Sequence, residues 1–210
     1  MNVLSIDFDI IMAPDIALYN HLVNGVVQGD DSRTIERLSE NFPMLNHCRA
    51  DLGHYSKIFF YLMNNISHLK VEDIRVAYNH EDIKYMLKEC SDVHVYSIDH
   101  HHDLGYALPQ GVPEEDICTC ANWGDYFFKH GNISHFTWIK NTNSDMTQKY
   151  EDDPRVTLIE LNDFDLHELP KIDKLFLCLS PEWVSPNYTP LFYLILDLIN
   201  SQKNCHLEMH

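Results

Sequence analysis

Basic residues are scarce: 15 Lys and Arg stand against 32 Asp and Glu in 210 residues, a formal charge of −17 with the 14 histidines neutral. That balance argues against a general hold on nucleic acid or on an anionic membrane, since both need a basic face that scattered cations do not build. A cationic ligand fits it better than a polyanion. Long apolar runs are missing as well. The opening MNVLSIDFDIIM has no basic n-region and carries two aspartates, so it reads as neither signal peptide nor membrane span, and the expected location is cytoplasmic. The six cysteines include no CxxC pair, and Cys118 and Cys120 are too isolated for a zinc knuckle, which leaves reduced thiols rather than a disulfide framework. Seven glycines and nine prolines exclude a collagenous or low-complexity chain, and no internal repeat is present. What the chain has is 45% hydrophobic residues, enough for a core, and a length that predicts one domain over 1–210.

Apolar runs alternate with amphipathic stretches in the manner of an α/β protein. Residues 3–11 form a β-like run, and Pro14 opens a helix over 14–27. Residues 30–46 are polar and turn-rich, with a short helix over 35–40. The spacing of Ile58, Phe59, Leu62 and Ile66 predicts a helix over 55–66. A strand over 74–78 and a helix over 81–90 follow, then a buried strand over 93–98 that runs straight into Asp99-His100-His101-His102-Asp103. A loop over 104–120 leads to a short aromatic helix, 122–130, and a strand, 133–139. The polar stretch 141–154 reads as a surface loop, and strands over 156–161 and 175–179 precede a closing helix over 188–199. The apolar stripe of that helix is broad enough for core packing or a homo-oligomer seam, and core is the better fit. Short hydrophobic strands separated by helices predict a three-layer α/β/α fold with a mostly parallel sheet. Ligands in such sheets collect at the carboxyl ends of the strands. Three clusters occupy that position here: Asp7 with Asp9, Asn79-His80-Glu81, and the run from Asp99 to Asp103.

Alternate residues of an extended segment point the same way, so Asp99-x-His101-x-Asp103 offers two carboxylates and an imidazole on one face. Asp7-x-Asp9 repeats the geometry, and carboxylates inside an apolar run such as Ile6, Phe8, Ile10 and Ile11 are costly unless a cation neutralises them. Together the segments supply ligands for two divalent ions sharing a bridging carboxylate, and the mostly carboxylate donor set suits manganese better than zinc. His100 and His102 fall out of phase and should face the other way, behind the ligands or as proton relays. His54, at an expected helix start, is the reserve histidine ligand, although a helix-capping neighbourhood is the simpler reading. Trp123 and Trp138 read as core.

At this point the residues resemble a family. Asp99-x-His101-x-Asp103 and Ser5-x-Asp7-x-Asp9 look like the two metal motifs of the arginase and agmatinase superfamily, and Ala77-Tyr78-Asn79-His80-Glu81 is similar to a third, with Asn79 where that motif has Asp. Asn122-Trp123, Gly131-Asn132-Ile133 and Phe136-Thr137-Trp138-Ile139 resemble the pattern of a small arginase-like branch that includes the peptide arginases. Those enzymes turn arginine residues of ribosomally made precursor peptides into ornithine residues and release urea. Two departures stand out: the S-x-D-x-D strand opens this chain instead of following D-x-H-x-D, and the chain is shorter than a typical free-arginine enzyme. The resemblance implies a single arginase-like catalytic domain with two Mn²⁺ ions. Asp7 and Asp99 would be shared between them, His80 and Asp103 would complete one site, and His101 and Asp9 the other. It further implies attack by hydroxide held between the metals, with Asp9, Asp99 and His101 as the catalytic group and Asp9 passing the proton to the leaving amine. Glu182, in Ser180-Pro181-Glu182-Trp183, occupies the place of a guanidinium-binding carboxylate, a two-pronged grip that suits arginine.

Two other readings stand beside it. Ile98-Asp99-His100-His101 also resembles the signature of DHH-type manganese phosphoesterases, but no glycine-rich basic phosphate segment follows and the net charge of −17 repels phosphates. The third is a metal-stabilised module that binds a cationic peptide without turnover.

Overall fold

The computed structural model describes residues 1–12, 49–105, 118–142, 144, 150, 152–181, 183–204, 207 and 209. The helices expected over 14–27 and 35–40, and Glu182, lie outside the described residues.

Six strands form one sheet: β1 (Asn2–Asp7), β2 (Ile74–Ala77), β3 (Val93–Ile98), β4 (Ile133–Lys140), β5 (Val156–Glu160) and β6 (Lys174–Cys178). Their order is β2-β6-β1-β3-β4-β5, and every adjacent pair is parallel. The expected α/β class with a mostly parallel sheet is therefore what the chain forms. The described α-helices are α1 (Leu52–Asn65), α2 (Lys84–Leu87), α3 (Trp123–Lys129) and α4 (Thr189–Lys203). None of the described helices is long and apolar enough to cross a membrane.

The period-two pleat sorts each strand's side chains between two apolar clusters. Leu4 and Ile6 of β1 and Leu175 and Leu177 of β6 pack with Ile58 and Leu62 of α1 and Phe192, Ile195 and Ile199 of α4. Val3, Val95, Phe136 and Phe176 join Leu87 of α2 and Trp123 and Phe127 of α3 in the other. The stripe of α4 is thus core. The central strand β1 is covered on both faces, which is why it reads as a nearly continuous apolar run. Register places the ends of the central strands level: Ile6 pairs with Ile98 and with Leu177, and Asp7 and Ala77 both pair with Cys178. Everything that follows β1, β2, β3 and β6 consequently emerges at one rim.

Several expected boundaries shift for local reasons. The β-like run over 3–11 stops being a strand at Asp7, and Phe8–Met12 is a fully buried 3-10 turn; an apolar run hides that change because it has no period of its own. The helix expected over 81–90 is a 3-10 turn, His80–Ile83, followed by the single α-turn of α2. α1 begins at Leu52 rather than 55 because the Asp51 carboxylate accepts the backbone N–H groups of Gly53 and His54 at 2.8 and 3.0 Å. α4 runs on to Lys203 and ends where Asn204 takes a left-handed φ of 50°. The stretch 141–154 is not simply surface: Asn141, Ser144 and Tyr150 are buried, the first two on the His100 ring and the third on the Asp125 carboxylate.

Candidate metal centre

Three strand ends converge at the rim. β1 delivers Asp7 and, one residue into the 3-10 turn, Asp9; the turn after β2 delivers His80; the segment after β3 delivers Asp99, His101 and Asp103. Ligand atoms of Asp7, His80 and Asp99 lie within 4.8 Å of one another, and so do those of Asp9, Asp99 and His101. Asp99 belongs to both groups. Asp103 joins the first, its Oδ2 2.9 Å from His80 Nδ1. The side chains of Asp7, Asp9, His80, Asp99 and Asp103 are at most 6% exposed, whereas that of His101 is 19% exposed.

The carboxylate atoms divide between those held by backbone groups and those turned toward an imidazole. Asp99 Oδ1 accepts the backbone N–H of His101 at 2.8 Å and Asp9 Oδ1 that of His100 at 3.3 Å, while the buried Oδ2 of Asp9 lies 2.8 Å from His101 Nδ1 and that of Asp99 3.1 Å from His80 Nδ1. His80 shows a similar division: Nε2 meets Ser5 Oγ at 2.8 Å, and Nδ1 is buried without a directed hydrogen bond, though it stands 2.9 to 3.1 Å from carboxylate oxygens of Asp103, Asp7 and Asp99. With Nδ1 as a ligand, the ring proton sits on Nε2 and is donated to Ser5, which fixes the tautomer. Asp7 Oδ2 accepts the Ser180 hydroxyl at 2.6 Å, and Asp103 Oδ2 accepts the indole N–H of Trp123 at 2.7 Å. Trp138 donates its indole N–H to the Asp99 carbonyl at 2.9 Å. Gly124 makes the approach of α3 to the Asp103 loop feasible, because a Cβ there would meet Leu104 Cδ2 at 2.8 Å and the Asp103 carbonyl at 3.1 Å.

Charge follows from this crowding. Burial, with Asp103, Asp9 and Asp7 close by, raises the Asp99 carboxyl well above the ordinary carboxylate range, and burial beside Asp9 raises Asp7 as well. Burial also pushes Asp9 up, but the charge and hydrogen bond of His101, with help from His100, prevail and hold it low. For His80 burial disfavours the imidazolium, yet the charge of Asp103 and contacts with Asp7 and Asp99 lift it well above the usual histidine value; Asp9 does the same for His101. His102 goes the other way, pulled down to about 4 chiefly by burial.

The expected residues meet, but not through the pleat. Only Val93–Ile98 is strand; Asp103 has a left-handed φ of 51° and Asp9 lies in a 3-10 turn, so the loops fold the ligands inward where an extended chain would have splayed them. His100 and His102 do turn away: the first bonds Asn141 and Ser144, and the second accepts the Leu104 N–H and meets Trp138 edge-on. His54 sits outside both groups, between the Ile10 carbonyl at 3.4 Å and Asn162 Oδ1 at 2.8 Å. Ser180, Trp123, Trp138 and Trp183 are contacts the sequence reading missed at the site. Trp123 and Trp138 carried a usable signal, since a buried indole N–H requires an acceptor, and theirs are the Asp103 carboxylate and the Asp99 carbonyl. Ser180 carried none.

No family model, no curated protein and no solved structure matches the chain. The donor chemistry therefore speaks alone, and it fits a metal: Asp9 Oδ2, His80 Nδ1 and Asp99 Oδ2 are buried, meet only other groups of the cluster at 2.8 to 3.1 Å, and belong to groups whose excess of carboxylates calls for positive charge. This buried cluster of Asp7, His80, Asp99 and Asp103 with Asp9 and His101 can bind a metal ion.

Proposed function

We propose that this protein is a binuclear manganese hydrolase of arginase type, converting arginine residues of a ribosomally made peptide into ornithine residues with release of urea. The observation that carries the reading is the membership of Asp99 in two ligand groups at once, an arrangement suited to two cations side by side. The oxygen-rich donor set, with one imidazole in each group, favours manganese. Bound there, two such ions supply a water that is deprotonated near neutral pH and an electrostatic clamp on the group under attack.

The chain's own residues do the rest. His80, Asp103 and Asp7 would hold one ion and His101 and Asp9 the other, with Asp99 within reach of both. Asp9, whose Oδ2 stands 2.8 Å from His101 Nδ1, takes the proton of the attacking water and returns it to the departing side-chain nitrogen. Water adds to the guanidinium carbon, the bond from that carbon to the side chain breaks, and the products are an ornithine ammonium and urea. Glu182 supplies the guanidinium-binding carboxylate, and an acidic protein of charge −17 attracts the cationic peptide.

Mass spectrometry of an arginine-containing peptide incubated with the protein and Mn²⁺ tests the reading: the expected result is a loss of about 42 Da per arginine with urea released, the product of water attack at the guanidinium carbon. Unchanged peptide beside fully loaded metal would overturn it.

A further inference from the structure

The six cluster residues are unequal in one respect: His101 alone reaches the surface appreciably, at 19% exposure of its side chain against at most 6% for the others. His101 is thus the cluster residue nearest solvent. The ring beside it is Trp183, half-buried, with its centroid 5.1 Å from the imidazole and the planes inclined at 52°. Trp183 is fixed relative to the cluster through its own turn. Its backbone N–H donates to the Ser180 carbonyl at 2.9 Å, the Ser180 backbone N–H donates to the Tyr78 carbonyl at 3.1 Å, and the Ser180 hydroxyl donates to Asp7 Oδ2 at 2.6 Å. Ser180 accepts a left-handed φ of 45° in doing so. One end of the turn is thus tied to Asp7 and the other lies on His101, a ligand from each of the two groups.

We propose that Trp183 is the platform on which the planar cation of the substrate stacks as it enters past His101. A tryptophan face attracts cations through its quadrupole, and a delocalised guanidinium, flat and weakly hydrated, stacks on it where a compact ammonium does not. The platform selects for flatness and charge together. This assignment rests on the hydrolase reading only for the identity of the cation.

The test uses the Mn²⁺-loaded protein and three probes of similar size: Nα-acetyl-arginine amide, Nα-acetyl-lysine amide and the neutral isostere Nα-acetyl-citrulline amide. Dissociation constants come from calorimetry, and KM is measured wherever urea is released. Trp183→Leu should weaken the arginine probe about tenfold while leaving citrulline nearly unchanged, and Trp183→Phe should weaken it about threefold, in the order of ring strength for cations. KM should move with these values, kcat should move less, and metal content should stay at the wild-type level. An arginine constant unaltered by Trp183→Leu at full metal content would overturn the assignment, as would a wild type that holds all three probes equally or none. If Trp183→Leu loses metal, Trp183→Phe decides alone: full metal with an unaltered constant overturns the platform. Binding that depends on Trp183 without urea release supports the platform and rejects the hydrolase reading instead.

Discussion

Asp99 and Trp123 show how differently two neighbours of one cluster should respond to substitution. Asp99 lends atoms to both ligand groups, so Asp99→Asn, which keeps the shape and removes the charge, is expected to strip metal from both and, on the proposed hydrolase reading, to abolish urea release. Trp123 reaches only one of the two groups: its indole N–H donates to the Asp103 carboxylate and its ring lies 5.0 Å from that of His80. Hydrogen bonds to a charged acceptor are worth about 1.5–3 kcal/mol, so Trp123→Phe should weaken one ion by roughly tenfold to a hundredfold and leave the other in place. Calorimetric titration with Mn²⁺, followed by metal analysis after dialysis, separates the two outcomes: near-zero metal for the first variant and, on the proposed two-ion reading, about one ion retained for the second. Equal losses would mean that Trp123 supports the whole rim rather than Asp103.

Among the elements, β3 shows what is legible in a sequence and why. A β-branched and aromatic run that ends abruptly in Asp99-His100 announces both strand and site, and its bounds, Val93–Ile98, are those the pattern predicts. The convergence of Asp7, Asp9, His80, Asp99, His101 and Asp103 was legible for the same reason: strands of a parallel sheet deliver their ends to one side. What was not legible are features made by contacts distant in sequence, such as the Ser180 hydroxyl on Asp7, 173 residues away, and the loops that bend Asp9 and Asp103 inward. Helix ends belong to an intermediate class. The start of α1 depends on the Asp51 cap, and Asp51→Ala should cost about 0.5–2 kcal/mol. In a domain of this size that lowers the melting temperature by about 1–8 °C. Metal affinity should stay unchanged, because α1 contributes no ligand; a fall in affinity would show that α1 holds the rim in place.

At the scale of the whole molecule, the buried charge couples folding to metal and to pH. Without an ion, Asp99 and His80 bind protons more tightly folded than unfolded, since both sit above their ordinary values. A group raised in this way contributes stability below its unfolded value and loses it as pH climbs through the folded one. Asp9 is held low and acts in the opposite sense at the acid end. Protein treated with a chelator should therefore lose stability as pH rises above 6.5, the ordinary value of histidine, while the Mn²⁺-loaded protein does not, because its ligands are already deprotonated. The gap between their melting temperatures should widen toward alkaline pH, and at a free metal concentration of about 100 times Kd it corresponds to about 2.7 kcal/mol. Thermal melts of both forms across that range check the sign; a gap that narrows would show that the carboxylates titrate independently of the metal.

The sheet order also sets a timetable. β1, which precedes the other described strands in sequence, lies between β3 and β6, and its Asp7 is held by Ser180. While the chain is being synthesised, the earliest ligands wait beside an empty slot until the segment through residue 180 has left the ribosome, and only then can the rim close around them. Prematurely terminated chains that stop before β6 carry all six ligand residues and still lack the wall that aligns them. The order of strands thus acts as a quality gate: possession of the ligand set is not enough, and a chain is expected to hold metal only once β6 and Ser180 have joined β1.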